Sequence, residues 1–430
     1  MTELNPRSNM STGSREGLPL KTFYYLIGSG ALAIVPFIML PVIVKYLTLG
    51  EIGRFAFFES IFLLLLPLIG FGTGPFLSVR LFSESDRLSS FISSILSVPV
   101  IIGFFCLLLL LFFFYFGDVS PNEDMGWYLG AVVIGILNSV NLLALNYLQM
   151  HGRARSYSML QITSGLVHLV TTVSLVAVFN FGVTGRVVGL FLSIVVTCML
   201  GLRVFAKAGV RIGKVSSQTL IETFRFGGGI VVHTLAAVVF FTTDRILLGL
   251  MVSEEAVGDY YIAAQVGMVM SLVQTTFGQL WTPICFEALR QRWELSLIRR
   301  YNFLSVVFMI SVALILYFVI EILVVKLLGA EFARLIDVTR VMILAYMFLG
   351  MYKVFSCYIQ FYERTGLLSS ITVCAALLNL GLTYWLVGLM GVLGAATATA
   401  ISSCCYFLSI YVCYRMVMSQ NLGEEYVSSD

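Results

Sequence analysis

Apolar residues run along this chain in stretches of about 20 or more, broken by short charged or Gly- and Pro-containing turns. A helix of about 20 apolar residues crosses a bilayer core, so the pattern predicts an all-α polytopic membrane protein. Twelve spans are expected, at about 22–47, 52–79, 89–116, 125–149, 156–180, 183–206, 218–249, 256–284, 297–327, 337–361, 366–388 and 391–416. No connection between them is long enough to hold a separate soluble domain. The first 20 residues are polar, and the apolar run from Phe23 is longer than a signal-peptide core and ends without a small-x-small cleavage site. A short flexible tail and a retained first helix are therefore expected.

Composition agrees with the pattern. Of 430 residues, 59% are hydrophobic and only 11% charged, against about 25% charged in a soluble domain. A net charge of +3, with no basic stripe interleaved with aromatics, excludes nucleic acid as a partner. The eight cysteines lie in apolar runs without metal-ligand spacing and read as small buried hydrophobes. The three histidines, His151, His168 and His233, are scattered, and no Walker-type phosphate loop or long loop with a catalytic base is present. The chain is expected to be neither an enzyme nor a cofactor or metal binder. Without a nucleotide-binding domain, energy must come from an ion gradient or from the substrate's own concentration difference.

An even number of spans puts both termini on one side. With the N-terminus inside, only Lys45, Arg54, Arg186, Arg245, Lys326, Arg334 and Arg340 fall on the outer side, leaving 19 of the 26 Lys and Arg residues inside. The third connection carries Asp118, Glu123 and Asp124 and no basic residue. This bias places both termini in the cytoplasm. The basic segment Arg203–Arg225 then reads as a cytoplasmic linker between two six-helix lobes. The expected division is a tail at 1–21, a lobe at 22–206, a linker at 207–217, a second lobe at 218–416 and a tail at 417–430. Short matches between the halves support it. Tyr147-Leu148-Gln149 with Arg153 recurs as Tyr358-Ile359-Gln360 with Arg364, and Gly182-Val183-Thr184-Gly185 with Ser193 recurs as Gly391-Val392-Leu393-Gly394 with Ser402. Gly53-Arg54-Phe55 resembles Gly258-Asp259-Tyr260. Same-direction repeats imply lobes related by a pseudo-two-fold axis along the membrane normal.

Polar residues inside apolar spans are the informative ones, because isolated charges there cost at least about 2.5 kcal/mol each. The stretch Gly227–Leu250 carries Asp244 and Arg245 after an uncharged run from Ile230 to Thr243. Lys45, Arg54, Arg186 and Arg245, with Asn146, are candidates for a cationic cavity suited to phosphate; Lys353 is a further intramembrane cation. The alternative for each is a helix-end anchor at the headgroups. Arg186 stands out because its repeat partner is Ala395. Glu59 and Asp244 are the acids most exposed to desolvation, which favours the protonated carboxyl group, so both are candidates for proton or sodium coupling. Pro36 and Pro41 lie inside the first span and form a hinge candidate, with irregular packing as the alternative.

Several of these features carry a family resemblance: the turn Leu47-Thr48-Leu49-Gly50-Glu51-Ile52-Gly53, the run ending Thr243-Asp244-Arg245, the segment Val257-Gly258-Asp259-Tyr260-Tyr261-Ile262-Ala263-Ala264, Pro283 and the Gly-Val-x-Gly repeats. In order and spacing the chain resembles the multidrug/oligosaccharidyl-lipid/polysaccharide (MOP) exporter superfamily, and within it the bacterial polysaccharide or O-antigen repeat-unit flippases. The resemblance implies a twelve-helix, two-lobed, MATE-like carrier in the bacterial inner membrane. It would move an undecaprenyl-pyrophosphate-linked oligosaccharide to the periplasmic leaflet by alternating access, driven by protons or sodium. A polysaccharide polymerase and a chain-length regulator would be its partners. A drug or metabolite exporter of the same superfamily is the nearest alternative, expected to favour acids in its cavity. A polymerase would need a larger outer loop than this chain has.

Overall fold

The computed structural model describes residues 18–84, 87–116, 125–211 and 213–427. The expected tail before residue 18 and the acidic connection of Asp118, Glu123 and Asp124 lie outside them. Every regular element among the described residues is helical: α1 (Leu18–Tyr46), α2 (Leu49–Gly70), α3 (Thr73–Arg80), α4 (Leu88–Phe116), α5 (Met125–Met150), α6 (Ala154–Val173, prolonged by a π turn at Ser174–Val178), α7 (Gly182–Lys207), α8 (Ser217–Met251), α9 (Glu254–Arg290), α10 (Leu295–Leu327), α11 (Ile336–Phe361) and α12 (Thr365–Val427). A 3₁₀ turn, Ala330–Leu335, leads into α11. Gly391 breaks α12 with φ 56° and ψ −128°, so this element contributes two of the predicted spans. The predicted second span is not continuous. It breaks at Phe71 and Gly72, both at positive φ, where backbone meets backbone: a Cβ on Gly227 would stand 2.2 Å from the Phe71 carbonyl oxygen. Pro67 stays inside α2, so a glycine contact rather than a proline sets this break.

The repeated segments mark equivalent helix ends. Thr48 caps α2, its hydroxyl accepting the Glu51 N–H at 3.3 Å while the Glu51 carboxylate accepts the Thr48 N–H at 2.9 Å, a capping box. Ser253 caps α9, accepting the Ala256 N–H at 3.2 Å. After α5, Gly152 sits at φ 64° and the Arg153 N–H reaches back to the Leu148 carbonyl; after α11, Glu363 sits at φ 57° and the Arg364 N–H reaches back to Ile359. Both are left-handed C-caps, placed at the same point of the recurring Tyr-x-Gln segment and its basic residue. Gly182 and Gly391 share φ 56°.

Two compact units divide the chain. One takes residues up to 35 with 68–171 and 189–230; the other takes 36–67, 172–188 and 231 onward. The division falls between Val35 and Pro36 in α1, and between Pro67 and Leu68 in α2. In the first unit, Leu77, Phe91, Ile92, Leu143, Leu148 and Phe205 form the core where α3, α4, α5 and α7 meet. Hydroxyls of Ser89, Ser93 and Ser94 on α4 accept the N–H groups of Arg211, Gly213 and Ser216, so the connection after α7 is tied down by side chains rather than left to water. In the second unit, α9, α11 and α12 supply the largest shares of the buried apolar residues, with Tyr260 to Ala264 on α9 and Met342 to Ile359 on α11 among the most deeply buried stretches.

Candidate functional site

In the second unit, α2 and α9 cross where neither carries a side chain. A Cβ on Gly53 would stand 1.8 Å from the Glu254 carbonyl oxygen, and one on Gly258 would stand 2.2 Å from that of Leu49. The two contacts exchange under the repeat, since 258 − 53 and 254 − 49 both equal 205. The capping hydroxyls of Thr48 and Ser253 are related by the same offset. A contact that maps onto itself in this way is isologous in the sense used for two-fold dimers.

One turn beyond this crossing the charged residues gather. Consecutive residues on a helix point about 100° apart, so Asp244 and Arg245 of α8 enter different surroundings. Asp244 is 2% exposed. Its carboxylate accepts hydrogen bonds from the Tyr260 hydroxyl, from Thr399 at 2.8 Å and from Thr383 at 3.2 Å, both threonines lying on α12. Among the described residues no cation lies within 4.0 Å of it. Arg245 turns instead to Glu59 of α2, with Nη1 3.3 Å from Oε2, and its guanidinium lies 5.1 Å from the Tyr261 ring centroid. Arg186, in the first turns of α7 and 2% exposed, stacks 3.7 Å over Phe55 and 4.8 Å from Tyr261, and donates to the Tyr261 hydroxyl at 2.5 Å. Its Nη1 and the Nε of Arg245 are buried without a hydrogen-bond partner. Two guanidinium groups thus share one tyrosine ring, a cation–π arrangement that is strengthened by desolvation.

The other residues singled out by sequence lie elsewhere. Lys45 is exposed, its Nζ 5.7 Å from the Tyr46 ring. Arg54 is half-buried on α2. Asn146 belongs to the first unit, where its amide lies 2.6 Å from the position a Cβ on Gly74 would take. Pro36 and Pro41 sit inside an uninterrupted α1. Thus Arg186, Arg245, Glu59 and Asp244 converge, whereas Lys45 and Asn146 do not join them. Sequence reasoning missed Phe55, Tyr260, Tyr261, Thr383 and Thr399. A signal for two of them was available: Tyr260 occupies the repeat position of Phe55 and stands beside a second tyrosine.

What this arrangement can do is set by its charges. A carboxylate held by three hydroxyl donors in an otherwise apolar site can accept a proton or a small cation. Two arginines stacked on aromatics hold positive charge without a full complement of acids.

Known proteins share this architecture. The structure of a multidrug resistance MATE family transporter of the MOP superfamily, in an inward-facing conformation, is similar with a TM-score of 0.72 at 15% identity, covering 96% of both chains. The lipid II flippase MurJ, in an inward closed conformation, gives 0.73 at 14% identity over 92% of this chain and 87% of that one. These likenesses show the fold: about twelve membrane helices of the MATE-like type. A Haemophilus influenzae protein named for the Lsg locus is 23% identical over 314 residues, 72% of this chain and 76% of that protein. The family described as polysaccharide biosynthesis protein matches residues 20–289, more than half of the chain, and the chain belongs to that family.

Proposed function

We propose that this protein is a flippase, not an enzyme. In this proposal it carries an undecaprenyl-pyrophosphate-linked oligosaccharide, an O-antigen or other surface polysaccharide repeat unit, from the cytoplasmic to the periplasmic leaflet of a bacterial inner membrane. The observation that carries the reading is the cluster of buried Arg186, Arg245 and Asp244 with half-buried Glu59 among apolar helices of a polysaccharide-biosynthesis family member. A helix bundle with a purely structural role has no need of four ionisable groups at such a place. The likeness to MurJ, a lipid II flippase by name, supports the substrate class.

Alternating access gives each part a role. The two six-helix halves, 22–206 and 218–416, rock about each other with both termini cytoplasmic. The Gly53–Gly258 crossing, with Arg186 and Arg245 on Tyr261, closes the periplasmic side; its reciprocal geometry suits a contact between repeats. Lys45 and Arg54, close by in sequence, draw phosphate toward the pathway. Asp244, with Tyr260, Thr383 and Thr399, binds the coupling proton or sodium ion, and its occupancy is felt at once by Tyr260 and Tyr261, neighbours on α9. Pro36 is the hinge in α1, supported by the unit boundary that falls at it. A polymerase and a chain-length regulator act on the delivered unit.

Deleting the gene in its native host tests this. The expected result is loss of long-chain surface polysaccharide on gels, with single lipid-linked units accumulating in extracted membranes by mass spectrometry. Normal surface glycan with altered drug tolerance would instead identify a drug exporter.

A further inference from the structure

Beyond Arg340, Lys353 is the only charged residue of α11, and α9 carries no charge between Asp259 and Glu287. Thirteen residues past Arg340 on a helix, Lys353 lies about 20 Å along the axis from it. Its ammonium donates to the Thr275 hydroxyl at 3.3 Å, and its stem crosses Gly278, with Cδ 3.5 Å from where a Cβ would stand. Among the described residues no carboxylate lies within 4.0 Å of the ammonium.

Polar side chains continue along both helices at helical spacing. Thr275, Gln279 and Thr282 follow one face of α9, and Lys353, Ser356 and Gln360 follow one face of α11. These residues line a cavity of about 280 Å³ within the second unit. A chain this apolar does not place two facing polar rows by accident of composition. Thr282 and Ser356 donate to carbonyls of their own helices, which leaves their oxygens free to accept, and among the described residues Lys353 to Thr275 is the one hydrogen bond that joins the two rows.

The chemistry of the set selects its ligand. An intramembrane ammonium without a counter-ion attracts an anion that arrives from outside the protein. Lys is a point-charge phosphate binder, tolerant of orientation. The two glutamine amides both donate and accept, and the Thr and Ser hydroxyls do likewise, which suits sugar hydroxyls rather than an apolar drug. We propose that Lys353, with Gln279, Thr282, Ser356 and Gln360, binds the phosphate end of a lipid-linked glycan and its first sugar. This rests on the flippase reading for its substrate but not for its geometry.

The test is a titration of the purified full-length protein in lipid nanodiscs with farnesyl pyrophosphate, using farnesol to measure the contribution of the tail. Wild type should bind the pyrophosphate saturably and more tightly than farnesol. Lys353→Met keeps the stem over Gly278 and removes the charge; it should weaken pyrophosphate binding about tenfold or more, as expected for a lost charge-assisted contact, and leave farnesol binding and thermal unfolding unchanged. Equal pyrophosphate affinity in wild type and Lys353→Met would overturn the assignment, as would wild type binding farnesol as tightly as the pyrophosphate. Failure of the flippase reading looks different: Lys353 would still govern pyrophosphate binding, while gene deletion would leave surface polysaccharide unchanged.

Discussion

Two regions of the second unit hold cations inside apolar helices, and they do so in opposite ways. Around Tyr261, the guanidinium groups of Arg186 and Arg245 are packed against rings, one of them bonded to Glu59, with almost no exposed surface. Around Lys353, the ammonium stands in a polar cavity, and among the described residues no carboxylate lies within 4.0 Å of it. The first arrangement suits closure, because the guanidinium groups of α7 and α8 are held by protein groups, Glu59 and Phe55 of α2 and Tyr261 of α9. The second suits a ligand, because charge is left for something else to satisfy. Sign of charge therefore does not by itself mark a substrate site; the neighbours decide.

The comparison can be broken most severely at the glycine crossing. Gly258→Ala places a methyl group against the Leu49 carbonyl, and overpacking of this kind costs about 1–3 kcal/mol. Export in a complemented deletion strain should be abolished, while farnesyl pyrophosphate still binds at Lys353. Arg186→Ala comes next: with Arg186 in the proposed closure role, it should cut export about tenfold and leave pyrophosphate affinity within about twofold. A parallel loss of binding and export in this variant would erase the distinction between the two regions. Arg186→Lys retains the charge but not the planar stacking on Phe55, so it should recover only part of the export if the rings matter.

Asp244→Asn sharpens the same contrast from the acidic side. The amide keeps the size of the side chain and can still accept from Thr383 or Thr399, but it cannot ionise. Export by this variant should no longer respond to collapse of the proton or sodium gradient, measured with ionophores in energised vesicles; an unchanged ionophore response would remove Asp244 from the coupling role. The smallest effect is expected from Gln360→Ala, which should weaken binding of a sugar-bearing polyprenyl pyrophosphate about threefold, the worth of one neutral hydrogen bond, and leave farnesyl pyrophosphate binding untouched.

The fold was legible because each span is long and apolar, and the turns between spans carry recognisable punctuation. The predicted boundary at Gly391 matched the backbone break, since Gly182 had flagged the same motif in the first half. The break at Phe71 and Gly72 was not legible: it depends on Gly227, about 150 residues away, approaching the chain there. The candidate site was legible only in part. Asp244 and Arg186 declared themselves by being charged in apolar surroundings. Thr383 and Thr399 did not, because hydroxyls that bond their own helix and hydroxyls that bond a distant carboxylate look alike in sequence. Asp244 and Arg245 are adjacent in sequence, but helical geometry turns them apart, one to α12 and one to α2. Gln279 and Gln360 acquire meaning only when α9 and α11 are seen face to face.

The most direct measurement is a flipping assay in sealed proteoliposomes. The substrate is the undecaprenyl-pyrophosphate-linked oligosaccharide extracted from the deletion strain, placed with the purified protein in vesicles, and scored by the fraction open to a membrane-impermeant sugar oxidant. The account predicts that this fraction rises with time in the presence of the protein and an ion gradient, and that Gly258→Ala vesicles stay at the level of protein-free ones. An accessible fraction no greater with wild-type protein than without it would contradict the account.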